Sequence, residues 1–188
     1  WRIEEDYPTL IRVNDLFIDT INSSSFIHSV GLLSVANDKV ISNKGAIELS
    51  LDRDRNLIRQ FIDSGQTSEW LNTRVINPEL VEYTNVISLL IKLPVGTPGR
   101  RGVLVINVVE DFLNNAVVDL NSEDLGEIYI VNSEGIVLSN VHKEQLFTRA
   151  KHLPDNLAEL EQEGYYVVAG SEGDHLVSYI TSSYNDWT

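Results

Sequence analysis

In the stretch SEWLNTRVI, residues 68–76, an indole, an amide and a guanidinium stand two residues apart at Trp70, Asn72 and Arg74. If the stretch is extended, strand alternation sets all three side chains on one face. A flat aromatic beside an amide and a planar cation can stack on a small molecule. The same group can fork onto a hydroxyl, carboxylate or phosphate oxygen. Tyr83, Asn85 and Ile87 would share a face of the next run, EYTNVISLLIKL, and Asn107 interrupts the apolar VLVINVV. A buried amide needs a partner, because an unpaired one costs about 1–3 kcal/mol. Ligand, backbone or water could supply it. Trp70, Asn72, Arg74, Tyr83, Asn85 and Asn107 are therefore the candidate ligand-binding residues, set against the ordinary polarity of half-exposed strands.

These residue types bind, and none supplies bond chemistry. The four histidines (His28, His142, His152, His175) are scattered, with no HExxH and no partner four residues on. The sequence contains no G-x-S-x-G, no phosphate-binding loop and no GxGxxG. Cysteine is absent, which removes disulfides, thiolate chemistry and cysteine-based metal sites. Asp52, Asp54, Asn56 and Asp63 imitate the ligand spacing of a calcium loop. The turn glycine such a loop requires is Leu57 here, so helix capping explains the acids better. Asn22-Ser23-Ser24 matches a glycosylation sequon, which matters only in a eukaryotic secretory setting. The expectation is a protein that is not an enzyme, with no catalytic residue, metal or cofactor.

Charge narrows the partners. With 14 Lys+Arg against 28 Asp+Glu, the 188-residue chain carries a formal charge of −14. That charge argues against nucleic acid as a partner, since neutralising phosphates needs clustered Lys and Arg. The densest basic cluster is Arg100-Arg101, inside the turn-like GTPGRRG. Anionic lipid is disfavoured for the same reason. A 43% hydrophobic, 22% charged composition is that of a folded chain. No apolar run approaches the roughly 20 residues of a membrane span, and no methionine is present. The sequence is accordingly expected to be a fragment, with any membrane anchor outside it.

The elements that must position the candidates follow from periodicity. Leu10, Val13 or Asn14, Phe17 and Ile21 predict a helix from about 8 to 23, with Pro8 in its first turn. Strands at 28–36 and 39–43 form a hairpin around Asn37-Asp38. In DRDRNLIRQFIDSG, the residues Leu57, Ile58, Phe61 and Ile62 form one stripe. Asp52 or Asp54 can cap that helix and Gly65 can end it. Three strands follow in SEWLNTRVI, EYTNVISLLIKL and RGVLVINVV. A short helix, DFLNNAVVDL, is expected to bury Phe112, Leu113, Ala116 and Val117. A second hairpin at 127–140, helical material from about 143 to 163, and strands YYVVAG and HLVSYITSS complete the chain.

The order hairpin, helix, returning strands is thus written twice. GLLSVANDKVISN at 31–43 matches IYIVNSEGIVLSN at 128–140, with Asn37 and Asn132 aligned 95 residues apart. That period is too long for a solenoid. It suits α+β architecture: two similar subdomains, each an antiparallel sheet with helices against a face, preceded by an N-terminal helix.

The second copy, with IYIVNSEGIVLS, LVSYI and the Asn185-Asp186-Trp187 turn, resembles a Cache domain, the extracellular PAS-like sensor module of bacterial receptors. With a diverged first copy and the leading helix, nearly the whole chain is similar to a double-Cache ectodomain. The resemblance implies an N-terminal helix at 1–27, a membrane-distal subdomain at 28–120 and a membrane-proximal one at 121–188 whose last strand is missing. It also implies membrane anchoring through flanking helices outside the fragment, and a small-molecule ligand in the distal copy. The output would be a histidine kinase of a two-component system, a chemotaxis domain or an AraC-type transcription regulator. The amino-acid-binding subset carries Arg-x-Trp-Tyr ahead of a later Asp, whereas this chain has Glu69-Trp70-Leu71-Asn72. Arg74 points instead to an anionic or polyhydroxylated ligand. The arrangement leaves room for a homodimer. The rival readings are a ligand-free structural, protein-interaction or dimerisation module and a carboxylate hydrolase.

Overall fold

The computed structural model describes residues 7–34, 38–48, 54–76, 84–93, 102–120, 126–154, 156–170 and 173–188. Two compact units divide the chain at Val109 and Glu110. In the first, helix α1 (Tyr7–Asn22) is followed by strands β1 (Ile27–Ser34), β2 (Lys39–Ser42) and β3 (Gly45–Glu48). Helix α2 (Arg55–Asp63) and strands β4 (Ser68–Ile76), β5 (Thr84–Leu93) and β6 (Gly102–Val109) complete it. The strands form one antiparallel sheet in the order β3-β2-β1-β6-β5-β4.

A helix covers each face of this sheet. Phe17 of α1 packs with Val30 and Ile41, flanked by Leu10, Val13 and Ile21. This is the stripe that helical spacing anticipates. Asn14 interrupts that stripe and donates its amide to the Ser42 carbonyl at 3.0 Å. On the opposite face, Ile58 and Phe61 of α2 pack against Leu33, Val40, Leu90, Val103 and Val105. Lys92 lies over the Phe61 ring, 5.0 Å from its centre. Strand β3 is not announced by the sequence pattern. It is four residues long, and Gly45, at φ +109°, turns the chain into it. Asn37, at the expected turn of the first hairpin, and Asp52 lie outside the described residues.

The second unit begins with α3 (Glu110–Leu120), so the helix expected to close the first copy groups with the second. Strands β7 (Ile130–Val131) and β8 (Val137–Ser139) form one hairpin, β9 (Glu163–Val168) and β10 (His175–Ile180) another. Asn132 shapes the turn of the first, its Oδ1 accepting from the Glu134 and Ile136 amides at 3.0 and 2.9 Å. Val131, Val137, Leu146 and Ala150 form this unit's core.

Three expectations are corrected here. The repeat predicts the strands of the second copy in one sheet. Among the described residues they form two separate hairpins, and Thr188 exchanges both backbone bonds with Val131 of β7 at 2.7 and 2.9 Å. The expected helix at 143–163 is two 3-10 turns, Lys143–Gln145 and Leu157–Glu159. Phe147 and His152, with φ near +67° and +64°, interrupt any helical run between them. In α3, Val117 is buried, but Ala116 is exposed and Phe112 is 46% exposed. Its innermost side chain is Glu110, which accepts from Ser139 Oγ and from Lys143 Nζ.

Burial separates two phenylalanines that look alike in sequence. Phe61→Ala removes a ring at the centre of the first core and should cost about 3–5 kcal/mol. Phe112→Ala removes a half-buried ring and should cost less, about 1 kcal/mol. Urea unfolding of both variants checks the ranking.

Candidate functional site

Strand β4 is not regular. Leu71 pairs with Ser88 and Arg74 with Val86, so Asn72 and Thr73 together face only Ile87. This is a β-bulge, and one extra residue reverses the alternation of everything beyond it. Trp70 pairs with Leu89, which pairs with Ile106, on the face that α1 covers. Arg74 lies on the other face with Ser88 and Asn107. The single face expected for Trp70, Asn72 and Arg74 is therefore split. The indole is 36% exposed, and Asn72 is exposed within the bulge.

On the α2 side, the polar residues form one chain of hydrogen bonds across four strands. Arg74 Nε and Nη2 donate to Ser88 Oγ at 3.2 and 3.0 Å, and Nη2 also donates to Asn107 Oδ1 at 3.1 Å. Ser88 Oγ donates to Asn107 Oδ1 at 2.6 Å. Asn107 Nδ2 then donates to Ser29 Oγ at 2.8 Å, and Ser29 lies 3.1 Å from His28 Nδ1. The outer edge of the guanidinium is held differently, with Nη1 donating to Asp54 Oδ1 at 2.7 Å. Arg74 and Ser88 are thus fixed by the sheet, whereas Asp54 reaches in from the head of α2.

The register explains why these residues meet. Ser29, Ser88 and Asn107 are cross-strand partners on β1, β5 and β6. Two positions further along, the same face carries Gly31, Leu90 and Val105 and becomes the apolar seat of α2. Asn85 lies on the α1 side with Ile87 and Leu89. Its Oδ1 is buried with no hydrogen-bond partner among the described residues. Tyr83 lies outside the described residues.

Chemically, the cluster is a positioned cation with amide and hydroxyl neighbours. Ser88 Oγ is committed as acceptor to Arg74 and donor to Asn107, with no base beside it, so it is not arranged as a nucleophile. No group of three metal-ligating side chains occurs among the described residues. Burial, and then the charge of Lys44, hold the His28 imidazole below its ordinary pKa. A shallow depression on α2, lined by Asn56, Arg59, Gln60 and Asp63, contains no member of the cluster.

No protein-family model and no curated protein matches the sequence. Solved structures do match. The extracellular domain of rpHK1S-Z16, assigned as a histidine kinase, aligns over 93% of this chain and 73% of its own, with TM-score 0.60 and 14% identity. The periplasmic sensory domain of the Campylobacter jejuni chemoreceptor Tlp1 aligns over 90% and 72%, at 0.59 and 12%. The ligand-binding domain of Mlp24 with asparagine aligns over 96% and 74%, at 0.55 and 16%. This chain shares the α+β fold of these solved domains. No helix among the described residues is long and apolar enough to cross a membrane.

Sequence reasoning misses Ser29, Ser88 and Asp54. The two serines carry the signal that marks Asn107, a lone polar residue inside an apolar strand. Asp54 reads as a helix cap. It stands at that position, but its carboxylate makes no cap bond to α2.

Three substitutions test the placement of the polar residues on the two faces of the sheet. Asn107→Leu leaves Arg74, Ser88 and Ser29 short of a partner and should cost about 1–3 kcal/mol in urea unfolding. Asn85→Leu removes a buried acceptor without a partner and should be neutral or stabilising. His28 has a pKa lowered by folding, so the unfolded chain takes up its proton first. Stability is then full above the ordinary value of 6.5 and falls as pH drops through it. His28→Gln should flatten that fall in melting temperature.

Proposed function

We propose that this chain is a ligand-sensing domain held outside the membrane by a bacterial receptor. It binds a small molecule in its first unit, on the cluster formed by Arg74, Ser88 and Asn107. Binding passes a conformational signal to flanking membrane helices. The observation that carries this reading is a guanidinium fixed along one edge by two side chains of the sheet, with its other edge directed to a residue outside the sheet. That geometry suits bidentate or charge-assisted recognition of an oxygen-bearing ligand. Mlp24, whose ligand-binding domain is recorded with asparagine, supports a small-molecule role for the fold. A ligand can shift the receptor only through its different affinity for two arrangements, and no bond chemistry is required.

The second reading is a ligand-free structural or dimerisation module. It is favoured by the partners that Arg74, Ser88 and Asn107 already find within the protein.

A melting-temperature screen of organic acids, amino acids, sugars and sugar phosphates decides between them. At a hundredfold excess over Kd, a ligand adds about 2.7 kcal/mol, which is several degrees for a chain of this size. Arg74→Ala should abolish the shift while retaining the unliganded fold by circular dichroism. Trp70→Ala should leave it unchanged, since the indole is on the opposite face. A full response in Arg74→Ala would move the site elsewhere. Silence across the screen would favour the ligand-free module.

A further inference from the structure

We infer that Asp54 is a displaceable internal counter-ion, standing on Arg74 in the place that the carboxylate of a small organic acid takes on binding. This rests on the reading of the first unit as a ligand-binding domain. The two edges of the guanidinium differ. Ser88 and Asn107 hold Nε and Nη2 from regular positions of the sheet. Asp54 holds Nη1 from a turn, and its side chain is the more exposed, at 28% against 16% for Arg74. Losing Asp54 leaves the guanidinium seated and presents its outer edge to the incoming group. An exchange of one carboxylate for another conserves the charge-assisted bond, so the ligand's remaining contacts decide the outcome.

The conformation of Asp54 supports an exchange. An aspartate before a helix ordinarily accepts from the amides of the first turn. Here Asp54 stands at the N-cap of α2 with φ −85° and ψ 3°, and its side chain makes no cap bond. The carboxylate accepts from Arg74 Nη1 at 2.7 Å. Released by a ligand, and once the residue's ψ turns from 3° toward the extended range of a capping residue, it can accept from the first-turn amides, where the dipole also favours a negative charge. Ligand binding is thereby coupled to the capping of α2, whose Ile58 and Phe61 sit in the core. The coupling requires no motion of the sheet.

The test compares wild type, Asp54→Ala and Asp54→Asn against acetate, succinate and citrate. Acetamide and succinamide serve as uncharged controls, and chloride holds ionic strength constant. Removing the competitor should lower the concentration of at least one acid needed for a given melting-temperature shift by tenfold or more. The amides should have no effect, and the added Arg74→Ala change should erase the gain. Asp54→Asn keeps the side chain's shape and guards against misfolding of Asp54→Ala. Equal responses of wild type and both variants, or equal responses to acids and amides, would overturn the inference. If the wild type binds a screened ligand through Arg74 but Asp54 variants gain nothing, sensing stands and the counter-ion falls. Gains in the variants with a silent wild-type screen would support the counter-ion and count against sensing by the unaltered chain.

Discussion

One extra residue in β4 decides which side of the sheet receives the guanidinium. With regular alternation, Arg74 would follow Trp70 onto the face packed by α1. The bulge at Asn72 and Thr73 resets the alternation. Arg74 then meets Ser88 and Asn107, and every bond the guanidinium makes to the sheet depends on that reset. Bulges re-aim side chains at the cost of a local break in the ladder. Here the break falls on the sheet's edge strand, where least pairing is lost.

The same face of the sheet carries two different environments. Leu33, Leu90, Val103 and Val105 seat α2 through Ile58 and Phe61, and this apolar half drives the helix onto the sheet. Ser29, Ser88 and Asn107 form the polar half, which buries amides and hydroxyls only because each finds a partner. Asp54 joins the halves, since it heads the helix whose other residues fill the core. Arg74 and the start of α2 are therefore tied by an ion pair.

Much of this is legible in the residues. The period-3.6 stripes of α1 and α2, and the apolar runs of β4, β5 and β6, name elements whose bounds lie within a few residues of those expected. The repeated Asn-centred hairpin points to an α+β fold, which the solved structures share at 12–16% identity. Arg74 and Asn107 stand out as a cation and an amide in strands. The bulge does not, because nothing in Asn72-Thr73 distinguishes an extra residue from a regular pair. That is why alternation alone groups Trp70 with Arg74. Positive φ at Phe147 and His152 is equally silent, so the loop of the second unit looks helical. The tie from Asp54 to Arg74 spans twenty residues and emerges only when α2 is placed on the sheet.

The account stands on the cluster acting as a unit, and a double-mutant cycle between Arg74 and Asn107 tests that most directly. Stabilities of wild type, Arg74→Ala, Asn107→Ala and the double variant are measured by urea unfolding. The two residues share a direct bond and the hydroxyl of Ser88. A coupling energy above about 1 kcal/mol is therefore predicted. Additive effects, agreeing within about 0.5 kcal/mol, would show that the guanidinium and the amide act independently, and the site as described would not exist.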